Sequence, residues 1–73
     1  MNFGERLKIL REKHSMTQTE VAEYLKTTQS YYAQYERNMR QMTLERAAEL
    51  AILYDVSLDY IAGFTDDINR RRR

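Results

Sequence analysis

A chain of 73 residues has room for one domain, and at that size only about 60% of the unfolded surface is buried on folding, so the core must be well packed or shared with a partner. It has no cysteine and one histidine, His14, which excludes disulfide scaffolds, thiolate metal sites, cysteine nucleophiles and a histidine cluster. The net charge of +1 predicts no partner by itself, but its distribution is uneven. Residues 1–46 carry eight Lys/Arg against six Asp/Glu, residues 47–69 carry five acids and no base, and Arg70 to Arg73 close the chain. Without those four arginines the remainder is net −3, eight bases against eleven acids. Zero prolines and two glycines favour helices, because the punctuation of an all-β fold is missing. No apolar run approaches the roughly 18 residues of a membrane span, and no signal-like segment opens the chain. The expectation is a cytoplasmic protein with no membrane, cofactor, metal or small-molecule ligand.

Phe3, Leu7 and Leu10, with Ile9 beside them, recur at helical spacing and predict a first amphipathic helix over about residues 3 to 13. Its polar side carries Arg6, Lys8, Arg11 and Lys13, which read as a solvated face. His14 falls in a polar connection, where exposure to solvent is the expectation. No Ser or carboxylate constellation accompanies it to make a catalytic triad. With no phosphate-cradling glycine loop either, the chain does not read as an enzyme.

The stretch from Thr17 to Asn38, TQTEVAEYLKTTQSYYAQYERN, predicts two short helices joined by a turn. Thr17 and Glu20 form a capping box, in which each side chain satisfies the other's orphan backbone N–H. Val21, Ala22 and Leu25 supply the apolar stripe of the second helix. Lys26-Thr27 breaks the pattern, and Thr28 caps a third helix running to about Arg37. On a wheel of 100° per residue, Gln29, Ala33, Arg37, Ser30 and Gln34 share an arc of about 140°. Tyr32, Tyr35 and Glu36 lie on the other side, and Tyr31 is at the border. The outward set suits base edges: Gln pairs bidentately with adenine, Ser donates or accepts, and Ala admits a thymine methyl. An ordinary polar surface would have the same composition.

Asn38 is the expected left-handed residue that stops helix three, followed by a loop over Met39 to Met42. Thr43 caps helix four, with Glu45 in its first turn where the helix dipole favours a carboxylate. Leu44, Ala47, Ala48, Leu50, Ala51 and Leu53 read as its apolar face. Asp55-Val56 breaks it, and Ser57 caps a short fifth helix, Leu58 to Ala62, ending at Gly63. The reading is one domain over residues 1–65 and a basic, disordered tail over 66–73. Arg70 to Arg73 would either track phosphates in a neighbouring groove or remain a solvated end.

TQTEVAEYLKTTQSYYAQYERN resembles the helix-turn-helix of the XRE family, the Cro and phage-repressor type of DNA-binding domain. The resemblance extends to Leu10-Arg11, Thr17-Gln18, Glu36 and the segment from Asp55 to Gly63, and covers roughly residues 3 to 66. It implies an all-α fold, a compact five-helix bundle of the lambda-repressor-like type with helices two and three forming the motif. The implied function is a sequence-specific, double-stranded DNA-binding transcriptional regulator, a repressor that inserts helix three into the major groove of a palindromic operator as a weak homodimer. The resemblance assigns base contacts to Gln29, Ser30, Ala33 and Gln34. It assigns backbone contacts to Arg11, Thr17, Gln18, Thr28, Tyr31, Arg37, Asn38 and Arg40, and an ion pair to Arg11 and Glu36. Gln18 would also brace Gln29. Leu58, Ile61 and Phe64 are the candidate dimer contacts, with core packing the competing role for the first two. An antitoxin, or another regulator that binds a protein partner such as a toxin or antirepressor, is the alternative.

Three positions depart from the family pattern. Lys26 stands where glycine is common, so it either takes a positive φ at modest cost or reshapes the turn. Asn38 replaces another common glycine, more easily because Asn tolerates that conformation. Tyr31 is bulkier than the usual small residue and either packs beside a sugar-phosphate or crowds the groove.

Overall fold

Each helix starts on a side-chain cap whose oxygen accepts the backbone N–H three residues on. Asn2 caps α1 (Phe3–Lys13), Thr17 caps α2 (Gln18–Tyr24), Thr28 caps α3 (Gln29–Glu36), Thr43 caps α4 (Leu44–Tyr54) and Ser57 caps α5 (Leu58–Ala62). Asn2–Glu5 and Thr17–Glu20 are reciprocal capping boxes. The computed structural model describes residues 2–67, all helix, turn or loop. The arginine run 70–73, with most of the expected tail, lies outside the described residues.

The helix ends are as specific as the starts. Lys26 adopts φ 60°, while the Thr27 N–H reaches back to the Ala22 carbonyl at 2.9 Å. This hydrogen bond across the turn ends α2 in a Schellman-type close, so a lysine occupies the left-handed position. Asn38 (φ 60°) does the same for α3, with the Met39 N–H on the Gln34 carbonyl at 2.8 Å. Asp55 (φ 55°) and Gly63 (φ 89°) stop α4 and α5.

The core is built from Leu7, Leu10, Val21, Ala22, Leu25, Tyr32, Tyr35, Leu50, Ala51, Tyr54, Val56, Tyr60 and Ile61. Helix α1 packs against α3 and α5, α2 against α3, and α4 against α5. Among the described residues no helix is long and apolar enough to cross a membrane. Two parts of the expected pattern are corrected. Leu44, read as part of the apolar face of α4, is 71% exposed, because the buried stripe runs along Leu50, Ala51 and Tyr54 instead. Arg6, read as solvated, is buried. Its guanidinium donates to the carbonyls of Tyr60 (3.0 Å) and Thr65 (2.8 Å) and to the Asp66 carboxylate (3.0 Å), and lies over the Tyr60 ring. Thr65 and Asp66 are thereby tied to α1.

Helix α1 approaches the end of α3 closely at Gly4. A Cβ there would collide with the Glu36 carbonyl and the Asn38 side chain. The Gly4 N–H donates to the Asn38 Oδ1 at 2.9 Å, and the Asn38 Nδ2 donates to Asn2 at 3.0 Å. Gly4→Ala is therefore expected to cost about 1–3 kcal/mol, the range for an overpacked site. In a thermal melt each kcal/mol lowers Tm by about 4–8 °C at this chain size.

Candidate nucleic-acid interface

Helix α3 divides along its length. Tyr32 and Tyr35 are fully buried, their rings meeting edge to face, whereas Gln29, Ser30 and Arg37 are exposed and Ala33 and Gln34 half-buried. A shallow recess of about 390 Å³ runs along the outward side, lined by Gln18, Gln29, Ser30, Ala33, Gln34 and Arg37. The four residues expected at base edges thus share one surface with Gln18 at its margin.

A hydrogen-bond chain connects this surface to the interior. The Arg11 Nε donates to the Glu36 Oε2 at 2.7 Å and its Nη2 to the Oε1 at 3.2 Å. The remaining Nη1 donates to the Met16 carbonyl at 3.0 Å. The Gln18 Nε2 donates to the Glu36 Oε1 at 3.0 Å, and the Gln29 Nε2 donates to the Gln18 Oε1 at 2.6 Å. The charge dictates these amide orientations. An ionised carboxylate only accepts, so Gln18 must turn its NH₂ inward and its carbonyl toward Gln29, which must answer as donor. Gln29 is left with its carbonyl oxygen and one N–H facing out.

The Arg11 and Glu36 side chains are 11% and 4% exposed. Burial alone would raise the Glu36 pKa, but hydrogen bonds from Arg11 and Gln18 outweigh it and hold the carboxyl below its ordinary value. The Arg11 pKa is raised, chiefly by its bond to Glu36. Burial also pushes up the neighbouring tyrosines, Tyr54 to about 12 and Tyr32 further, so both stay neutral.

The other expected contacts differ in how free they are. Thr17 and Thr28 are exposed, and each hydroxyl accepts a backbone N–H as a cap while keeping its own hydrogen to donate outward. Arg37 is exposed beside the recess. Three of these residues are partly or wholly committed to the fold. Arg11, expected both in the ion pair and on a DNA phosphate, has all three guanidinium nitrogens engaged inside the fold. Asn38 spends its side chain tying the end of α3 to Gly4 and Asn2, leaving one amide hydrogen. Ile61, a candidate dimer contact, is 0% exposed and belongs to the core, whereas Leu58 is partly exposed and Phe64 is 83% exposed. Phe64 and Leu58 border a groove of about 750 Å³, shared with Phe3, Met39, Met42 and Leu44.

Tyr31 neither points freely outward nor fills the recess. It packs edge-on against Tyr35, with the Arg40 guanidinium 4.3 Å from its ring centre and that of Arg46 at 5.4 Å. Arg46 did not stand out in the sequence, since a basic residue in the first turn of a helix carries no motif. His14 lies at the surface, its ring 4.9 Å from that of Tyr54 and its Nδ1 2.9 Å from the Leu10 carbonyl.

Two short helices crossing at a left-handed turn, the second with a buried tyrosine side and a polar outer side, define a helix-turn-helix domain. Residues 7–61 match the family model described as "Helix-turn-helix", and the chain belongs to this XRE-type family. Over 65 residues it is 43% identical to the uncharacterized HTH-type transcriptional regulator YobD of Bacillus subtilis strain 168, covering 89% of this chain and 58% of YobD. It is 37% identical over 71 residues to the HTH-type transcriptional regulator ImmR of the same organism, covering 97% of this chain and 55% of ImmR. The chain therefore spans little more than half the length of either relative. No solved structure matches it.

The ion pair sets an acid limit on stability. A depressed carboxyl pKa contributes stability that is fully present above the ordinary value of 4.5 and is lost as pH falls through the folded-state value. Glu36→Gln leaves Arg11 buried without a counter-charge and is expected to cost about 3 kcal/mol at neutral pH. Its melting temperature should also fall less steeply than that of the parent through the acid window. Parallel thermal melts at neutral and acid pH measure both effects.

Proposed function

We propose that this domain is a sequence-specific, double-stranded DNA-binding transcriptional regulator, and a repressor, that places α3 in the major groove. The observation that carries the reading is the outward face of Gln29. Its free carbonyl oxygen and N–H, oriented through Gln18 by the charge on Glu36, form the acceptor–donor pair that complements adenine N6 and N7. Ser30, Ala33 and Gln34 extend the same face, Thr17, Thr28 and Arg37 rim it with donors for phosphates, and Gln18 stands at its margin as the brace of Gln29. The HTH-type regulators YobD and ImmR support regulation of transcription as the role of the domain.

Helix α3 has eight residues, about 12 Å of helix, and so reads only about three or four base pairs at 3.4 Å per step. Useful specificity then requires two copies on a palindromic operator, with half-sites about 34 Å apart. The groove beside Leu58 and Phe64 supports a weak homodimer, because a phenylalanine and a leucine exposed together on so small a domain favour burial against another surface. The same groove is what an antitoxin or antirepressor-binding reading would use, with a partner protein in place of the second copy.

Selection from random duplexes is expected to enrich a palindrome. Against that duplex, Gln29→Ala should cost about 1–3 kcal/mol and relax preference at one base position, read by binding titrations on single-base variants. An unchanged preference would sink the assignment of Gln29. Phe64→Glu should abolish self-association in sedimentation equilibrium and weaken binding to the palindrome more than to a single half-site. Equal losses on both would remove Phe64 from the dimer contact.

A further inference from the structure

Outside the recess, two arginines gather where α3 meets the start of α4. Arg40, in the loop, and Arg46, in the first turn of α4, are both stacked near the ring of Tyr31, at 4.3 Å and 5.4 Å from its centre. The Arg40 Nε donates to the Gln34 Oε1 at 3.1 Å, and the Arg46 Nη1 donates to the Tyr35 hydroxyl at 2.9 Å. Those holding groups, an amide carbonyl, a hydroxyl and a ring, are all uncharged. The bond to Tyr35 raises the Arg46 pKa most, and Glu49, one turn along α4, adds only a minor attraction.

These uncharged partners hold the two cations without neutralising them. An anion between or beside the two would neutralise them. The arginine side chains are already held by one nitrogen each, with their other N–H groups available, so a bound anion would meet donors whose ordering cost is partly met in advance. Position selects the anion. The base-facing arc of α3 runs from Gln29 to Gln34. Gln18 and Thr17 flank it at the Gln29 end, while Arg40 touches Gln34 and leads through Tyr31 to Arg46 at the other. A helix in a major groove about 12 Å wide has a phosphate strand on each side, so the two flanks face different strands.

We propose that Tyr31, Arg40 and Arg46 form a preorganised phosphate clamp for the DNA strand opposite the one met by Thr17, with Arg46 of α4 binding phosphate directly. This rests on the DNA-binding reading above and adds Arg46 and the tyrosine stack to it. The clamp gives Tyr31 a definite role. Its bulk aims two cations instead of filling the groove.

The test uses the full chain and a mixed-sequence duplex across a salt series of about 50–200 mM, with Tm measured for every variant. Arg46→Ala and Arg40→Ala should each weaken binding alike on all sequences and flatten the slope of log affinity against log salt by about 0.9. Arg46→Lys, which keeps the charge, should recover the slope but not all the affinity. Tyr31→Ala should weaken binding with little change in slope, because both charges remain. If Arg46→Ala lowers Tm or affinity while its slope equals the parent's, Arg46 acts only by holding α4 to Tyr35, and the clamp is overturned. The clamp alone is also overturned if Gln29→Ala weakens operator binding while Arg46→Ala does not. If the parent itself binds no duplex, the DNA-binding reading falls with it.

Discussion

The buried pair between Arg11 and Glu36 is the constraint that the rest of this domain is arranged to satisfy. Neither charge can be left alone at such low exposure, and the Coulombic gain of a buried pair roughly offsets its desolvation. The pair does more for geometry than for net stability. Arg11 reaches from the last turn of α1 to the last residue of α3 and to the Met16 carbonyl in the intervening loop, so one guanidinium locates three segments. Gly4 and Asn38 secure the same corner from the other side, since α1 approaches the end of α3 too closely for any side chain. With its C-terminal end held at these points, α3 has little freedom to roll, and its outward arc is defined.

The same charge gives that arc a direction. Left to itself, a surface glutamine amide samples both flips and offers either pattern of donor and acceptor. Here Glu36 accepts from Gln18, Gln18 accepts from Gln29, and the alternating sense of the chain is imposed from the buried end. Only one pattern is displayed at Gln29. The ordering is set before any ligand arrives, which reduces the entropy lost on binding. Chemistry at the core is in this way expressed as a hydrogen-bond code at the surface.

Much of this was legible in the sequence because it is encoded locally. Side-chain caps, the tyrosine side of α3 and the left-handed Asn38 each follow from residues a few positions apart. The missed features depend on distant partners. Arg6 reads as a surface cation until Tyr60, Thr65 and Asp66 are folded against it, more than fifty positions away. Leu44 fits an apolar stripe by periodicity, but the rotation of α4 is set by what it packs on, and that leaves Leu44 outside. Ile61 is as apolar as a contact residue should be, and only packing shows it enclosed while Phe64 is not. Arg46 carries no local signal at all, since its meaning lies in Tyr31 and Tyr35 on another helix. The alternatives at Lys26 were resolved by backbone geometry: a lysine accepts the left-handed conformation where the turn bond from Thr27 to Ala22 requires it.

A small domain has little apolar surface to spare, yet this one places an ion pair and two tyrosine hydroxyls, Tyr32 and Tyr54, in its interior. Apolar residues filling the same space would avoid the desolvation of those groups, the penalty that a buried ion pair roughly offsets but does not remove. A core of that kind, however, would hold α3 through non-directional contacts, which tolerate rotation about the helix axis. Rotating α3 by one residue moves its side chains through 100° and would exchange the Gln29–Gln34 arc for the tyrosines. Directional bonds resist that rotation far better than apolar packing does. The polar interior is therefore best understood as stability given up to fix the angular setting of one eight-residue helix.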